Sequence, residues 1–222
     1  MKNLNRPVSI YFAGDLFDSK DLGGNLLLAR AIEKISGGRF QVRLPQDGEC
    51  EVCCRTSRSI RDADFEMLFG CDVIVANCDG TDLDSGTVTE FCFAKMVDMP
   101  ALLLRTDFRD SGDHTLPDGD PWNLMCSHYP RTEVKHLNAM MLYHECKKSG
   151  SSDLVTSFYE KIASVVIAGL DQVISQPSWI TGNEVASQYR RAVCSIGGDL
   201  KNKLTEEKIS EIVSLKKAAG IY

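Results

Sequence analysis

Residues 72–109 read DVIVANCDGTDLDSGTVTEFCFAKMVDMPALLLRTDFR. The run Val73–Ala76 is apolar at every position, and so is Ala101–Leu104. Between them stand an acidic loop with Asp79, Asp82 and Asp84, and a helical pattern opened by Asp84-Ser85-Gly86-Thr87. Strands without polar alternation must be covered on both faces, and a helix joining two of them makes their pairing parallel. Crowding three carboxylates into one loop costs repulsion, so the loop needs a reason.

The same grammar extends outward in both directions. Upstream, Val8–Ala13 is a short apolar run stopped by Gly14-Asp15, and residues 21–36 carry Leu22, Leu26, Ala29, Ile32 and Ile35 at helical spacing before Gly37-Gly38. Phe40–Leu44 supplies a second strand, Pro45–Gly48 a turn, and Ser59–Gly70 a helix leading into Val73. Downstream, a weaker strand is expected near Val134. Alternating strands and helices indicate an α/β fold, a parallel sheet covered on both faces, with ligands at the carboxyl ends of the strands.

The chain changes character at Ser149-Gly150-Ser151-Ser152. Leu154, Phe158, Ile162, Val165, Val166 and Leu170 mark a long amphipathic helix, and Thr205 opens another over residues 206–218 with acids first and Lys216-Lys217 last. The reading therefore divides the chain into an α/β domain, residues 1–148, and a helical C-terminal extension, residues 149–222, packed on that domain or on a neighbouring subunit.

A chain of 222 residues that is 43% hydrophobic can bury one good core, and a net charge of -6 argues against binding nucleic acid electrostatically. A small-molecule partner fits better. No basic-then-apolar leader and no apolar run of about 20 residues is present, which predicts a soluble, cytoplasmic protein away from membranes. Nine cysteines, several within apolar patterns, read as reduced core thiols. The CEVCC run at 50–54 has metal-like spacing, but no second Cys/His pair follows at zinc distance, so no metal is expected there.

Two readings of the acidic helix start remain open on spacing alone. In one, Asp84 is an N-cap and Glu90, about one and a half turns on, a solvated acid. In the other, Glu90 is a carboxylate kept ionised by the helix start, with Asp64 and Asp84 in the same crevice dividing nucleophile and acid/base roles for glycosyl transfer.

Further fragments occur in fixed order: Tyr11-Phe12-Ala13-Gly14-Asp15-Leu16-Phe17, Leu44-Pro45-Gln46, Asp64 before Cys71–Ala76, Asp79-Gly80-Thr81, Asp84–Glu90, Arg105–Arg109 and Trp122–Met125. Together, over residues 8 to about 136, they resemble the nucleoside 2-deoxyribosyltransferase family. The resemblance implies a Rossmann-like, flavodoxin-type domain that exchanges the base of a 2'-deoxynucleoside for another free nucleobase, with no metal or organic cofactor. It places the nucleophile at Glu90, the sugar contact at Asp84 and base protonation at Asp64. Tyr11 orients Glu90, Gln46 meets the base, and Asn123 reaches the 5'-hydroxyl across a subunit boundary in a homo-oligomer. Gly14, Asp15, Ser85 and Gly86 complete the substrate-binding set. Departures lie at Asp15, at Phe91-Cys92-Phe93, and in the extension, where Tyr222 is expected as a solvated terminus.

Two alternatives stand beside this reading. Arg105 and Arg109 could clamp a phosphate in a 5'-monophosphate N-glycosidase, although pairing with Asp107 or Asp110 is the simpler reading and the first loop is acidic. A non-catalytic nucleoside sensor or scaffold would have little use for Glu90.

Overall fold

The computed structural model describes residues 6–48, 56–109 and 117–222. In chain order the elements are β1 (Val8–Ala13), α1 (Ser19–Ile35), β2 (Phe40–Arg43), α2 (Pro45–Gly48), α3 (Ser57–Gly70), β3 (Val73–Asn77), α4 (Ser85–Met96), β4 (Ala101–Arg105), β5 (Thr132–His136), α5 (Ala139–Lys148), α6 (Leu154–Ile174), α7 (Glu184–Ile196), α8 (Leu200–Lys203) and α9 (Glu206–Ala218). The strands form one all-parallel sheet in the order β2-β1-β3-β4-β5, the flavodoxin-type arrangement of a Rossmann-like α/β fold. Pro45–Gly48, read as a turn, winds into a single helical turn, which proline at a first helical position favours.

Each strand sends alternate side chains to opposite faces. Ile10, Phe12, Val73, Val75, Leu102 and Leu104 pack under α1 and α6. Gly169 lets α6 lie close, because a Cβ there would come within 2.7 Å of Leu102 Cδ1. Tyr11, Ala13, Ile74, Ala76, Ala101 and Leu103 face the other way, toward α3, α4, α7 and α9, with Tyr189 and Val193 of α7 in the same cluster. Helices after residue 149 thus cover both faces of the sheet.

The amino-terminal edge of the sheet is closed by buried polar groups. Arg131, just before β5, donates from Nη1 to Asp98 O at 2.7 Å and Oδ2 at 2.9 Å, and from Nη2 to Ile221 O at 2.6 Å. Ser178 Oγ and the Trp179 N–H also donate to Asp98 Oδ2. Asp98 and Arg131 both hold left-handed backbone, φ 53° and 50°. Such strain persists only where surroundings over-determine it, here through the ion pair. Lys216 Nζ donates to Cys71 O and to Tyr189 Oη, and burial pulls its pKa down to about 8. Tyr222, expected as a solvated terminus, is instead drawn in: its Oη donates to Val97 O at 2.6 Å and meets Tyr189 Oη at 3.1 Å. The aromatic ring is worth burying once its hydroxyl has a partner.

Arg131→Ala strands the Asp98 charge without its cation and is expected to cost about 3–5 kcal/mol of stability. Urea unfolding of the variant checks this; a midpoint equal to wild type contradicts the structural role given to the pair.

Candidate functional site

In this strand order the chain leaves β1 and β3 in opposite directions, which opens a crevice at their carboxyl ends. Tyr11 is paired with Ile74 across these strands. At the crevice Gly14 approaches Asn77 so closely that a Cβ on Gly14 would lie 3.1 Å from Asn77 Cβ. The loop after β1 is fixed by the buried Asn25, whose Nδ2 donates to Asp15 O at 2.9 Å. Sequence reasoning passed over Asn25, though it interrupts the apolar stripe of α1 at a core-facing position.

Asp84 is the N-cap of α4: its Oδ2 accepts from the Thr87 N–H at 2.7 Å and Thr87 Oγ1 at 3.0 Å. Gly86 is required beside it, since a Cβ would stand 2.9 Å from that same oxygen. The capped helix carries Glu90 to the wholly buried Tyr11, whose Oη donates to Glu90 Oε1 at 2.5 Å. Ser85 and Gly86 are exposed at the helix start.

Glu90 differs electrostatically from the expectation. The helix start was to keep it ionised, yet its pKa is raised to about 7. Loss of surrounding water is the largest cause, the Tyr11 hydrogen bond opposes it, and the charges of Asp64 and Asp84 add to the rise. Glu90 lies beyond the first turn, where the dipole has faded. Tyr11 is in turn pushed up by burial and then by Glu90 and Asp64. The partly buried Asp64 of α3 is therefore within electrostatic reach of both. Asp15 is raised by burial, then by Asp84 and its acidic neighbours. Tyr11, Asp64, Asp84, Glu90 and Asp15 thus gather at one crevice.

Other residues fall elsewhere. Gln46 donates to Leu22 O at 3.2 Å, and its Oε1 is buried with no hydrogen-bond partner among the described residues. Exposed Asn123 caps the short 3-10 turn Leu124–Cys126 by accepting from the Met125 N–H at 3.0 Å. Among the described residues, which exclude Asp110, Arg105 pairs with no carboxylate. Its buried guanidinium donates to Cys78 O at 2.5 Å, Gly80 O at 3.1 Å and Arg109 O at 2.9 Å, because the carbonyls of two loops converge on the end of β4. Arg109 does pair with Asp107, holding that carboxyl well below the usual range. Asp79 accepts from the Thr106 N–H, Thr106 Oγ1 and the Asp107 N–H, tying the acidic loop to the next one.

Next to these loops opens a cavity of about 660 Å³ lined by Asp79, Thr106, Phe108, Arg109, Met140 and Tyr143, among others. None of Tyr11, Asp64 and Glu90 lines it. The crevice that holds the perturbed carboxylate is the better candidate, because its groups converge on one point. Residues 50–54 lie outside the described residues. Among the described residues no three His, Cys, Asp or Glu side chains gather to hold a metal, and no helix is long and apolar enough to cross a membrane. Cys71, Cys78, Cys126 and Cys146 are free and buried, in keeping with reduced core thiols.

A family model described as Nucleoside 2-deoxyribosyltransferase matches residues 10–125, a span that includes every crevice residue named above and ends inside the Asn123 turn. A crystal structure of a conserved protein from Enterococcus faecalis V583 is 24% identical, with 75% of this chain and 98% of that one covered and a TM-score of 0.47. No curated protein matches.

The position of Glu90 carries a stability consequence. Its pKa is about 7 in the fold against 4.5 for an ordinary glutamate, so the unfolded chain releases this proton first. Native stability from this group is therefore lost as pH rises from about 4.5 to about 7. Glu90→Gln lacks that loss, and its advantage over wild type is expected to grow across this window to about 3 kcal/mol, on the order of 10 °C in Tm. Parallel Tm curves at pH 5 and pH 8 would refute the raised pKa.

Proposed function

Because the chain belongs to the nucleoside 2-deoxyribosyltransferase family, we propose that it transfers the 2-deoxyribosyl group of a 2'-deoxynucleoside to another purine or pyrimidine base through a covalent ester on Glu90. The observation that carries this reading is the Tyr11 hydroxyl donating to a poorly solvated Glu90 in the β1/β3 crevice. A carboxylate short of water is a stronger nucleophile than a hydrated one, and the phenol aligns it.

In the first step a Glu90 oxygen attacks C1' and the C1'–N bond breaks. The bonding pair stays on the base nitrogen, and the base takes a proton from Asp64. The transition state is oxocarbenium-like, and the lack of an electron-withdrawing 2'-oxygen makes it less costly. A second base then attacks C1' of the ester, restores the Glu90 carboxylate and gives its proton to Asp64. Asp84, with Oδ2 spent on Thr87, turns the rest of its carboxylate to a sugar hydroxyl. Gly14, Asp15, Ser85 and Gly86 border the sugar, and Gln46 meets the base.

The monophosphate hydrolase finds less support, because Arg105 is committed to carbonyls and Arg109 to Asp107. Asn123 spends its carbonyl on its own turn, beside Leu124 and Met125 exposed at 51% and 70%. These exposed groups suit a homo-oligomer in which Asn123 completes a neighbour's site, working on salvaged nucleosides in the cytoplasm.

Glu90→Ala is expected to lower base exchange with deoxyinosine or thymidine by roughly a thousandfold or more, and to abolish a deoxyribose adduct seen by mass spectrometry on the wild type. Full exchange in the variant rules the mechanism out. For wild type, kcat/KM should rise about tenfold per pH unit up to about pH 7 and then level, since only ionised Glu90 attacks. Tyr11→Phe should move that limb to higher pH. If Asn123 acts across subunits, mixing Glu90→Ala with Asn123→Ala protein restores part of the activity that each lacks; additive traces of the two, or full activity in a sedimenting monomer, speak against sharing.

A further inference from the structure

We propose that the loop joining α7 to α8 sets the position of Asp64, so that the helices beyond residue 149 act as a positioning device for proton transfer to and from the base. The proposal rests on the transferase reading above.

Asp62 of α3 is wholly buried. Its Oδ1 accepts from Arg61 Nε at 3.0 Å and Nη2 at 2.6 Å, and its Oδ2 from the Asp199 N–H at 2.7 Å. The preceding Gly197 and Gly198 have φ of 69° and 64°, which folds the backbone over this carboxylate. A Cβ on Gly198 would stand 2.6 Å from Asp62 Oδ2 and 2.8 Å from Oδ1. A carboxylate held by three donors has little room to retreat, so a side chain at 198 pushes the loop away from α3.

Asp62 and Asp64 are two residues apart, about 200° around the helix. One faces the α7–α8 loop; the other reaches the opposite side, where its charge acts on Glu90 and Tyr11. Any roll of α3 about its axis that loosens the Asp62 seat therefore swings Asp64. The same wall is braced by Lys203 Nζ donating to Glu66 at 2.8 Å and by Phe69 edge-on to Tyr189 of α7 at 5.5 Å. Phe65 of α3 meets Phe93 of α4 at 5.1 Å, which links the helix of Asp64 to that of Glu90. The seat thus fixes the proton donor relative to the nucleophile.

The test uses the full-length chain as Gly198→Ala and Asp62→Asn, each assayed with two donors. A purine deoxynucleoside needs a proton for its base to leave; 4-nitrophenyl 2-deoxyriboside releases a phenolate that does not. Gly198→Ala is expected to lose about ten- to a hundredfold in kcat on the purine donor, with KM little changed and the nitrophenyl donor nearly unaffected. Asp62→Asn keeps an oxygen for the Asp199 N–H but loses the Arg61 ion pair, and should show a smaller loss with the same selectivity. It also decides the matter if Gly198→Ala does not fold. Equal losses on both donors, which a purely stabilising contact would produce, or no loss on either, overturn the positioning role. Wild type that forms no Glu90 adduct with either donor overturns the transferase reading and this proposal together.

Discussion

Parallel pairing of β1 with β3 is the constraint on which the other features depend. Two parallel neighbours that follow one another only through β2 force the intervening chain to cross over one face and the next connection to leave over the other. The strand ends then part, and backbone at Gly14 and Asn77 comes as close as side chains allow. Tyr11 is carried on β1 and Glu90 on the helix that follows β3, so neither could be placed by its own segment alone. A one-residue slip in this pairing would turn Tyr11 to the α1 face and break the contact.

The two ends of the sheet spend polar groups in opposite ways. At the amino-terminal edge Asp98, Arg131 and Lys216 are buried and each is hydrogen-bonded, although Asp98 Oδ1 and Arg131 Nε have no partner among the described residues, and Tyr222 is folded in over them. At the carboxyl edge Glu90 has one strong donor, two acidic neighbours and little water. The first arrangement fixes the backbone; the second leaves a carboxylate less stable than in water. Rigid support at one end lets the fold tolerate an unfavourable charge at the other, the usual relation between a scaffold and a reactive group.

Much of the fold could be read from the chain because strands buried on both faces write themselves as unbroken apolar runs: Val73–Ala76 and Ala101–Leu104 fall within the observed β3 and β4. The helices α5 and α7 escaped for different reasons. In α5 only Cys146 is buried, so there is no stripe to see. In α7 the stripe Val185, Tyr189, Ala192 and Val193 is present but is interrupted by Arg190 and Arg191, which kept the segment looking polar. For the site, the sequence offered residue types in order but not the balance of forces. Burial outweighing a helix dipole at Glu90, and the loop carbonyls that Arg105 reaches, depend on what the fold packs against each group.

The acidic loop shows how such a cluster is tolerated. Asp79 accepts from two backbone N–H groups and a hydroxyl, which ties the loop to the end of β4. Asp84 sits at a helix start, where N–H groups and dipole offset its charge. Asp82 is exposed and solvated. Only Glu90 lacks comparable relief, and it bears the repulsion of its neighbours as well as the loss of water. Asp79 and Asp84 are thus tied to the backbone they organise, and the field of Asp84, with that of Asp64, falls on a carboxylate that the fold deprives of solvent. Sequence crowding that looked uniform resolves into carboxylates that tie the loop to the backbone and one, Glu90, that the crevice strips of water.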